Sequence, residues 1–417
     1  MAWAGSGGVP GSFLLWAESR DSISSEAGTP RKQNFSFSQQ SPWPSLGHLP
    51  ADFEPIEALV FSAGLLVRRD PELLLQMMEA LQDHTTLVGL VNDTHQRRKV
   101  EKLLAERKIL PRSLRLVEIA HNTVWIRDYG PIFFRFPDMH SGAYDAEYPD
   151  PGRRLDDAVP SRLAALFGVS LFALPMVLEG GNLLTNGHGL ALTSQAAVIR
   201  HSGSTVSEAS FRQLLSQHLG IDSLVILEPL AGEPTGHVDM FACFTGPDTV
   251  VVGQYDPRED PVNAAILDRN ASVLAGCRTS AGPLRVVRIP MPPHRDGIWR
   301  TYTNVIFANH CLLVPTYPTM DPAGSRRALE LYRRILPGWK VIGVDTSRLI
   351  TIGGGLRCVS LGIPAPAPSG SLGANLRSGT GLAWLRLFQE IHTDPSGPGG
   401  FATAFGGSWD LFQAANR

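Results

Sequence analysis

The chain has 417 residues and a formal net charge of −2, with 37 Lys and Arg against 39 Asp and Glu. No basic block breaks that balance, which argues against nucleic acid as a partner, and no apolar run reaches the length that spans a bilayer. Hydrophobic residues at 43% allow a sizeable core, whereas 18% charged residues, 41 Gly and 32 Pro point to short elements joined by many turns.

Residues 1–46 read as a disordered extension, dominated by Gly, Ser, Pro and Gln without periodicity. The apolar patch Ser12 to Ala17 lacks the basic region and length of a signal peptide. A single domain is expected over 47–365. It opens with a strand at Glu57 to Ser62. Asp70 and Pro71 then cap a helix whose Leu74, Met77, Met78 and Leu81 recur at helical spacing, a stripe read as core packing. A strand from Thr85 to Val91, a helix from Thr94 to Arg107 and a strand from Leu114 to Ile119 follow.

A unit of strand, strand, helix, strand then recurs. Its first copy shows a strand at Ile132 to Phe136, a helix at Asp156 to Phe167 and a strand at Val169 to Leu174. The second has a hairpin of Asn182 to Thr185 with Leu190 to Thr193, a helix from its Ser207 cap to Leu219 and a strand at Ser223 to Leu227. The third pairs Val238 to Phe244 with Thr249 to Gly253, followed by a helix at Val262 to Ala275 and a strand at Leu284 to Ile289. The fourth pairs Thr303 to Ala308 with Cys311 to Pro315, followed by a helix at Pro322 to Leu336 and a strand at Lys340 to Val344. With the N-terminal region rejoined by the segment around Cys358, the units number five, which suggests radial or solenoid packing. Residues 366–417, rich in Gly, Ser and Ala, read as a low-complexity tail.

Candidate chemistry lies where these units open. Trp125-Ile126-Arg127-Asp128-Tyr129-Gly130-Pro131 offers Asp128 as a cation ligand, or an Arg127–Asp128 surface turn. Glu179-Gly180-Gly181-Asn182 offers a carboxylate with backbone packed close, or an exposed turn. In Gly236-His237-Val238-Asp239, a strand would turn His237 and Asp239 to one side. That gives either an acid–base group beside a carboxylate or part of a metal site. Asn304, in Thr301-Tyr302-Thr303-Asn304, either bonds a ligand or ends a turn. Cys358 follows Gly353-Gly354-Gly355 and is either a nucleophile or a small buried hydrophobe. The other cysteines, Cys243, Cys277 and Cys311, are widely spaced without a C-x-x-C pair. That disfavours a structural zinc site or a disulfide framework and suits a reducing cytoplasm. In a radial array these openings converge. A thiol, an imidazole and three carboxylates would then meet in a pocket that favours a small cationic substrate, above all a planar guanidinium.

The ordered set W-x-R-D-x-G-P, E-G-G-N, G-H-x-D, Y-x-N and a Gly-rich approach to a late cysteine resembles the agmatine deiminase and bacterial peptidylarginine deiminase family, over roughly residues 48–365. The resemblance implies an α/β fold, a five-bladed pseudo-symmetric α/β-propeller (pentein). It implies hydrolysis of agmatine to N-carbamoylputrescine and ammonia, or of an arginine-derived guanidinium, through a covalent S-alkylthiouronium. By resemblance Cys358 is the nucleophile, His237 the proton donor and then base, and Glu179 its orienter. Asp128 and Asp239 hold the guanidinium, and Asn304, which matches an asparagine of the peptidylarginine branch, and Trp125 of the first motif are further substrate-binding residues. No metal and no cofactor is implied, and assembly into a homo-oligomer is left open. Two departures bear on the substrate. Arg357 stands where histidine usually precedes the cysteine, and Val359-Ser360-Leu361-Gly362 replaces the agmatine branch's I-T-Q-Q. Tyr129 and the L-G-I-P run ending at Pro364 lean toward the peptidylarginine branch. Arg357 has three readings: lowering the thiol pKa, repelling a cation, or pairing with a substrate carboxylate. Rival readings are a peptidylarginine deiminase, an amidinotransferase, a non-catalytic pentein that binds cations, and a metal hydrolase using His237, Asp239 and Glu179.

Overall fold

Short β-branched and leucine-rich runs set the strands, and the polar turns between them set how they pair. The computed structural model describes residues 48–109, 113–136, 141–202 and 207–365. The extension and the tail expected at the two ends lie outside the described residues. Among those described, the chain forms a mixed α/β structure with four three-stranded sheets of one plan, a related four-stranded sheet and a separate two-stranded ribbon, Arg278–Thr279 with Gly282–Pro283.

In four sheets an antiparallel hairpin is followed by helix and then by a third strand parallel to the hairpin's second. They comprise Ile132–Arg135, Ser141–Glu147 and Ser170–Val177; Leu184–Thr185, Leu190–Ser194 and Ser223–Leu227; Ala242–Gly246, Thr249–Gln254 and Arg285–Pro290; and Ile306–Ala308, Cys311–Thr316 and Lys340–Asp345. The first sheet is assembled from both ends of the domain. Ser360–Pro364 pairs antiparallel with Ile56–Phe61, which runs parallel to Thr86–Val91 and through it to Leu114–Glu118.

Capping chemistry starts the connecting helices. Asp70, Asp93, Asp260 and Asp321 each accept the backbone N–H three residues on, and Pro71, Pro261 and Pro322 occupy the first turn. Ser207 caps Glu208–Leu219 in the same way. Leu74, Met77, Met78 and Leu81 are fully buried. Two hairpin turns reach the next sheet. Asn309, held at φ 47°, bonds Ile56 N at 2.9 Å, Ile56 O at 2.8 Å and His84 O at 2.8 Å. Asn186 donates to Pro247 O at 2.7 Å. Among the described residues no helix is long and apolar enough to cross a membrane.

The structure differs from the sequence expectation where units open. Strands expected from Asn182, Val238 and Thr303 begin only at Leu184, Ala242 and Ile306. Gly180–Asn182 and Val238–Met240 curl into 3₁₀ turns instead, and Ile126–Tyr129 makes one helical turn. Side chains of other segments hold backbone N–H groups there: Asp128 accepts Gly181 N and Asn182 accepts Val238 N. His237 and Asp239 are therefore not strand neighbours but flank a tight turn. Ser141–Glu147 lacks strong strand formers, and Ala63–Arg69 and Gln195–Ser202 are too short for periodicity to reveal; all three elements escaped the sequence reading.

Candidate active site

One asparagine anchors the His237–Asp239 turn. Asn182 Oδ1 accepts Val238 N and Ser194 N, each at 3.1 Å. Its Nδ2 donates to Ser194 Oγ at 3.0 Å, and that hydroxyl bonds Gly236 O at 2.5 Å. Gly236 takes φ +64°, which suits glycine. The Glu179-Gly180-Gly181-Asn182 segment thus serves as the floor for the next motif. Gly181 N donates to Asp128 Oδ1 at 3.0 Å. A Cβ there would sit 2.5 Å from His237 Nδ1 and 2.6 Å from Asp128 Oδ1, so only glycine lets these two groups meet.

His237 is buried between two carboxylates. Its Nε2 lies 3.1 Å from Glu179 Oε2 and its Nδ1 3.7 Å from Asp128 Oδ1. Burial alone would depress the imidazolium, but Asp128 and Glu179 outweigh it and raise the pKa to about 9. Burial also lifts Asp128, to about 6; His237 opposes this, while Glu179 and Asp239 add to it. Glu179 is raised by burial but held below its ordinary value by His237 and Arg200. Arg200 bonds Glu179 and Thr235 O and lies 3.3 Å from His237 Nε2. A guanidinium only donates, so Nε2 cannot donate to Glu179 and accept from Arg200 at once. With Arg200 engaged by two oxygens, Nε2–H belongs to Glu179, and Nδ1 is the nitrogen that faces Asp128.

Cys358 is 4% exposed. Asn304 Nδ2 donates to its Sγ at 3.3 Å, while Asn304 Oδ1 accepts Arg357 N at 2.8 Å and Cys358 N at 3.3 Å. Burial drives the thiol well above its ordinary pKa, and Asp239 and Asp128 push the same way. The glycines make this packing possible. A Cβ on Gly355 would lie 2.6 Å from Asn304 Oδ1, and one on Gly354 would collide with the Trp125 ring and lie 3.1 Å from Cys358 Cβ. Trp125 therefore packs under the glycine loop.

Asp239 is fully buried. Arg357 Nη1 donates to its Oδ2 at 2.9 Å, while its Oδ1, also buried, has no hydrogen-bond partner among the described residues. Arg357 further donates to Gly180 O at 3.1 Å, Leu183 O at 3.1 Å and Asp52 Oδ2 at 2.8 Å. Four of its donors are thereby engaged with the protein, so Arg357 pairs with a site carboxylate rather than reaching for one on a substrate. Asp52 also faces Arg127 at 3.5 Å. Arg127 is not in a surface turn; its side chain is 13% exposed, and burial and the like charge of Arg357 pull its pKa to about 10.

The structure thus links Cys358, Asn304, Arg357 and Asp239 in one network, and Asp128, His237 and Glu179 in another, with the charges of Asp128 and Asp239 felt at the thiol. Sequence reading missed Asp52 and Arg200. Asp52 sits in Pro50-Ala51-Asp52-Phe53-Glu54, which carries no spacing signal, and Arg200 lies on a helix that periodicity did not reveal.

A family model described as Porphyromonas-type peptidyl-arginine deiminase matches residues 67–364, and the chain belongs to this family. A Legionella pneumophila protein provisionally named an agmatine deiminase is 27% identical over 265 residues, covering 60% of this chain and 74% of its own length. The solved agmatine deiminase of Enterococcus faecalis superposes with a TM-score of 0.66 at 22% identity, over 76% of this chain and 96% of that one. The C. jejuni agmatine deiminase gives 0.66 at 20%, over 78% and 98%. At these identities the two structures establish the shared fold.

Proposed function

We propose that the protein is a cysteine-dependent deiminase: a guanidinium and water give a urea and ammonia. Agmatine is the first-choice substrate, in keeping with the names of its relatives. An arginyl peptide is the second, in keeping with the family description. The observation that carries the reading is Asp239 Oδ1, a buried acceptor without a hydrogen-bond partner among the described residues, on a carboxylate whose charge acts on the thiol. An unmet buried carboxylate oxygen is costly, and a guanidinium N–H satisfies it.

In this reading Asp128 and Asp239 hold the planar cation against Cys358 Sγ. The bound cation offsets the two charges that keep the thiol protonated, so the thiol gives its proton to solvent water and the thiolate attacks the guanidinium carbon. His237, already protonated, gives its Nδ1 proton to the departing ammonia. The neutral imidazole then takes a proton from water, which attacks the thiouronium carbon and frees the thiolate. Glu179 holds the ring through Nε2. Arg357 does not reach for a substrate carboxylate, which favours a substrate without one.

The five sheets are read as blades of an α/β-propeller. The plan shared by four sheets and extended by one strand in the fifth, the pairing of first and last strands, and the Asn186 and Asn309 ties support that arrangement. Incubation with agmatine, free arginine and an arginyl peptide, with ureido product as readout, tests the function. Turnover of at least one, abolished in Cys358→Ala, is expected. Folded protein that converts none of the three would sink the reading.

A further inference from the structure

We propose that Asp52 is a positioning residue of the guanidinium site, acting through Arg357 on Asp239 and through Arg127 on the turn that carries Asp128. The proposal rests on the deiminase reading and deepens it. Asp52 lies outside the five site motifs and before the matched region, which begins at residue 67.

The contacts form a chain. Asp52 Oδ2 accepts from Arg357 Nε at 2.8 Å, and Arg357 Nη1 donates to Asp239 Oδ2 at 2.9 Å. Asp52 Oδ1 faces Arg127 Nη2 at 3.5 Å, and Arg127 is the immediate neighbour of Asp128 on the one-turn helix. The Arg357 side chain is 5% exposed, Asp239 is 0% and Asp52 is 28%. Asp52 is thus the end of the chain nearest to water, and the substrate-facing oxygen is at the other end.

Geometry and charge give Asp52 two effects. Together with Gly180 O and Leu183 O, which hold the two Nη, Asp52 at Nε fixes the Arg357 plane so that one Nη reaches Oδ2 and leaves Oδ1 open. A released guanidinium can rotate to cover both oxygens in the bidentate manner such pairs favour, which closes Asp239 to a substrate. In charge, two buried arginines, Arg127 and Arg357, face the carboxylates of Asp52, Asp128 and Asp239. Without Asp52 the two cations face only the two substrate-binding carboxylates, and a cationic substrate meets a weaker attraction. Burial keeps this effect from being screened by salt.

The test separates position, charge and mere folding. Asp52→Asn and Asp52→Glu are compared with wild type for KM and kcat on the guanidine turned over fastest. They are also compared for the rates at which Cys358 reacts with a cationic and an anionic methanethiosulfonate of matched size. The rates are read on the Cys358 peptide by mass spectrometry, because Cys243, Cys277 and Cys311 are also free. In Asp52→Asn the anionic-to-cationic rate ratio rises about tenfold, as does KM, while kcat changes less. General loosening would raise both rates together and leave the ratio unmoved.

Asp52, Arg127 and Arg357 line a cavity of about 90 Å³, which leaves room for the longer arm of Asp52→Glu. That variant keeps the wild-type ratio but raises KM several-fold. A wild-type ratio together with a wild-type KM in Asp52→Asn overturns the proposal. Should that variant not fold, a wild-type KM in Asp52→Glu overturns it instead. If wild type converts no guanidine, the deiminase reading fails alone, and the reagent ratio still reads Asp52.

Discussion

His237 between Asp128 and Glu179 sets a pH window for the proposed reaction. Asp128 titrates at about 6, so kcat/KM falls as pH drops through that value and the carboxylate stops accepting guanidinium N–H. His237 titrates at about 9, so kcat/KM falls as pH rises through it and the proton for ammonia is lost. The expected profile is a bell that reports the free enzyme, with limbs belonging to the coupled cluster rather than to one residue. Glu179→Gln removes a charge that raises His237, and the alkaline limb should move toward neutrality. An unmoved limb in a pH–rate titration of that variant would count against Glu179 as the partner of His237.

The glycine loop shows how much rests on one short element. Gly355→Ala places a Cβ 2.6 Å from Asn304 Oδ1 and 2.9 Å from Asn304 Cβ and Cγ, so Asn304 must shift. A misplacement of about 1 Å at a catalytic centre costs on the order of a hundredfold in rate, and overpacking costs about 1–3 kcal/mol. Steady-state rates and denaturant melts of Gly355→Ala should show both losses; wild-type kcat/KM would contradict the assigned place of Asn304. The same element marks what sequence could convey. The motif residues, their order and the strand–helix alternation were readable, because periodicity and turn residues carry those signals locally. His237 and Asp239 were placed on a strand, since alternation cannot reveal that Asn182, 56 residues upstream of Val238, curls that segment into a turn. Arg357 was visible as a residue, but its partner Asp52, 305 residues away, was not. Contacts of that separation leave no local pattern.

Across the whole molecule, neighbouring sheets are tied by side chains at hairpin turns. Asn309→Ala removes three hydrogen bonds to Ile56 and His84 and puts alanine at φ 47°. Together these should cost about 3 kcal/mol, read as a fall in the urea midpoint at an unchanged slope; a wild-type midpoint would remove Asn309 from the ties that matter. The open oxygen of Asp239 acts at this scale as well. In the proposed reaction a guanidine bound at this carboxylate satisfies a buried acceptor, so it should add to folding stability by linkage. Deimination turns that cation into a neutral urea. The product cannot answer the same charge, so each turnover weakens the hold on its own product and returns the protein to its less stable, receptive state.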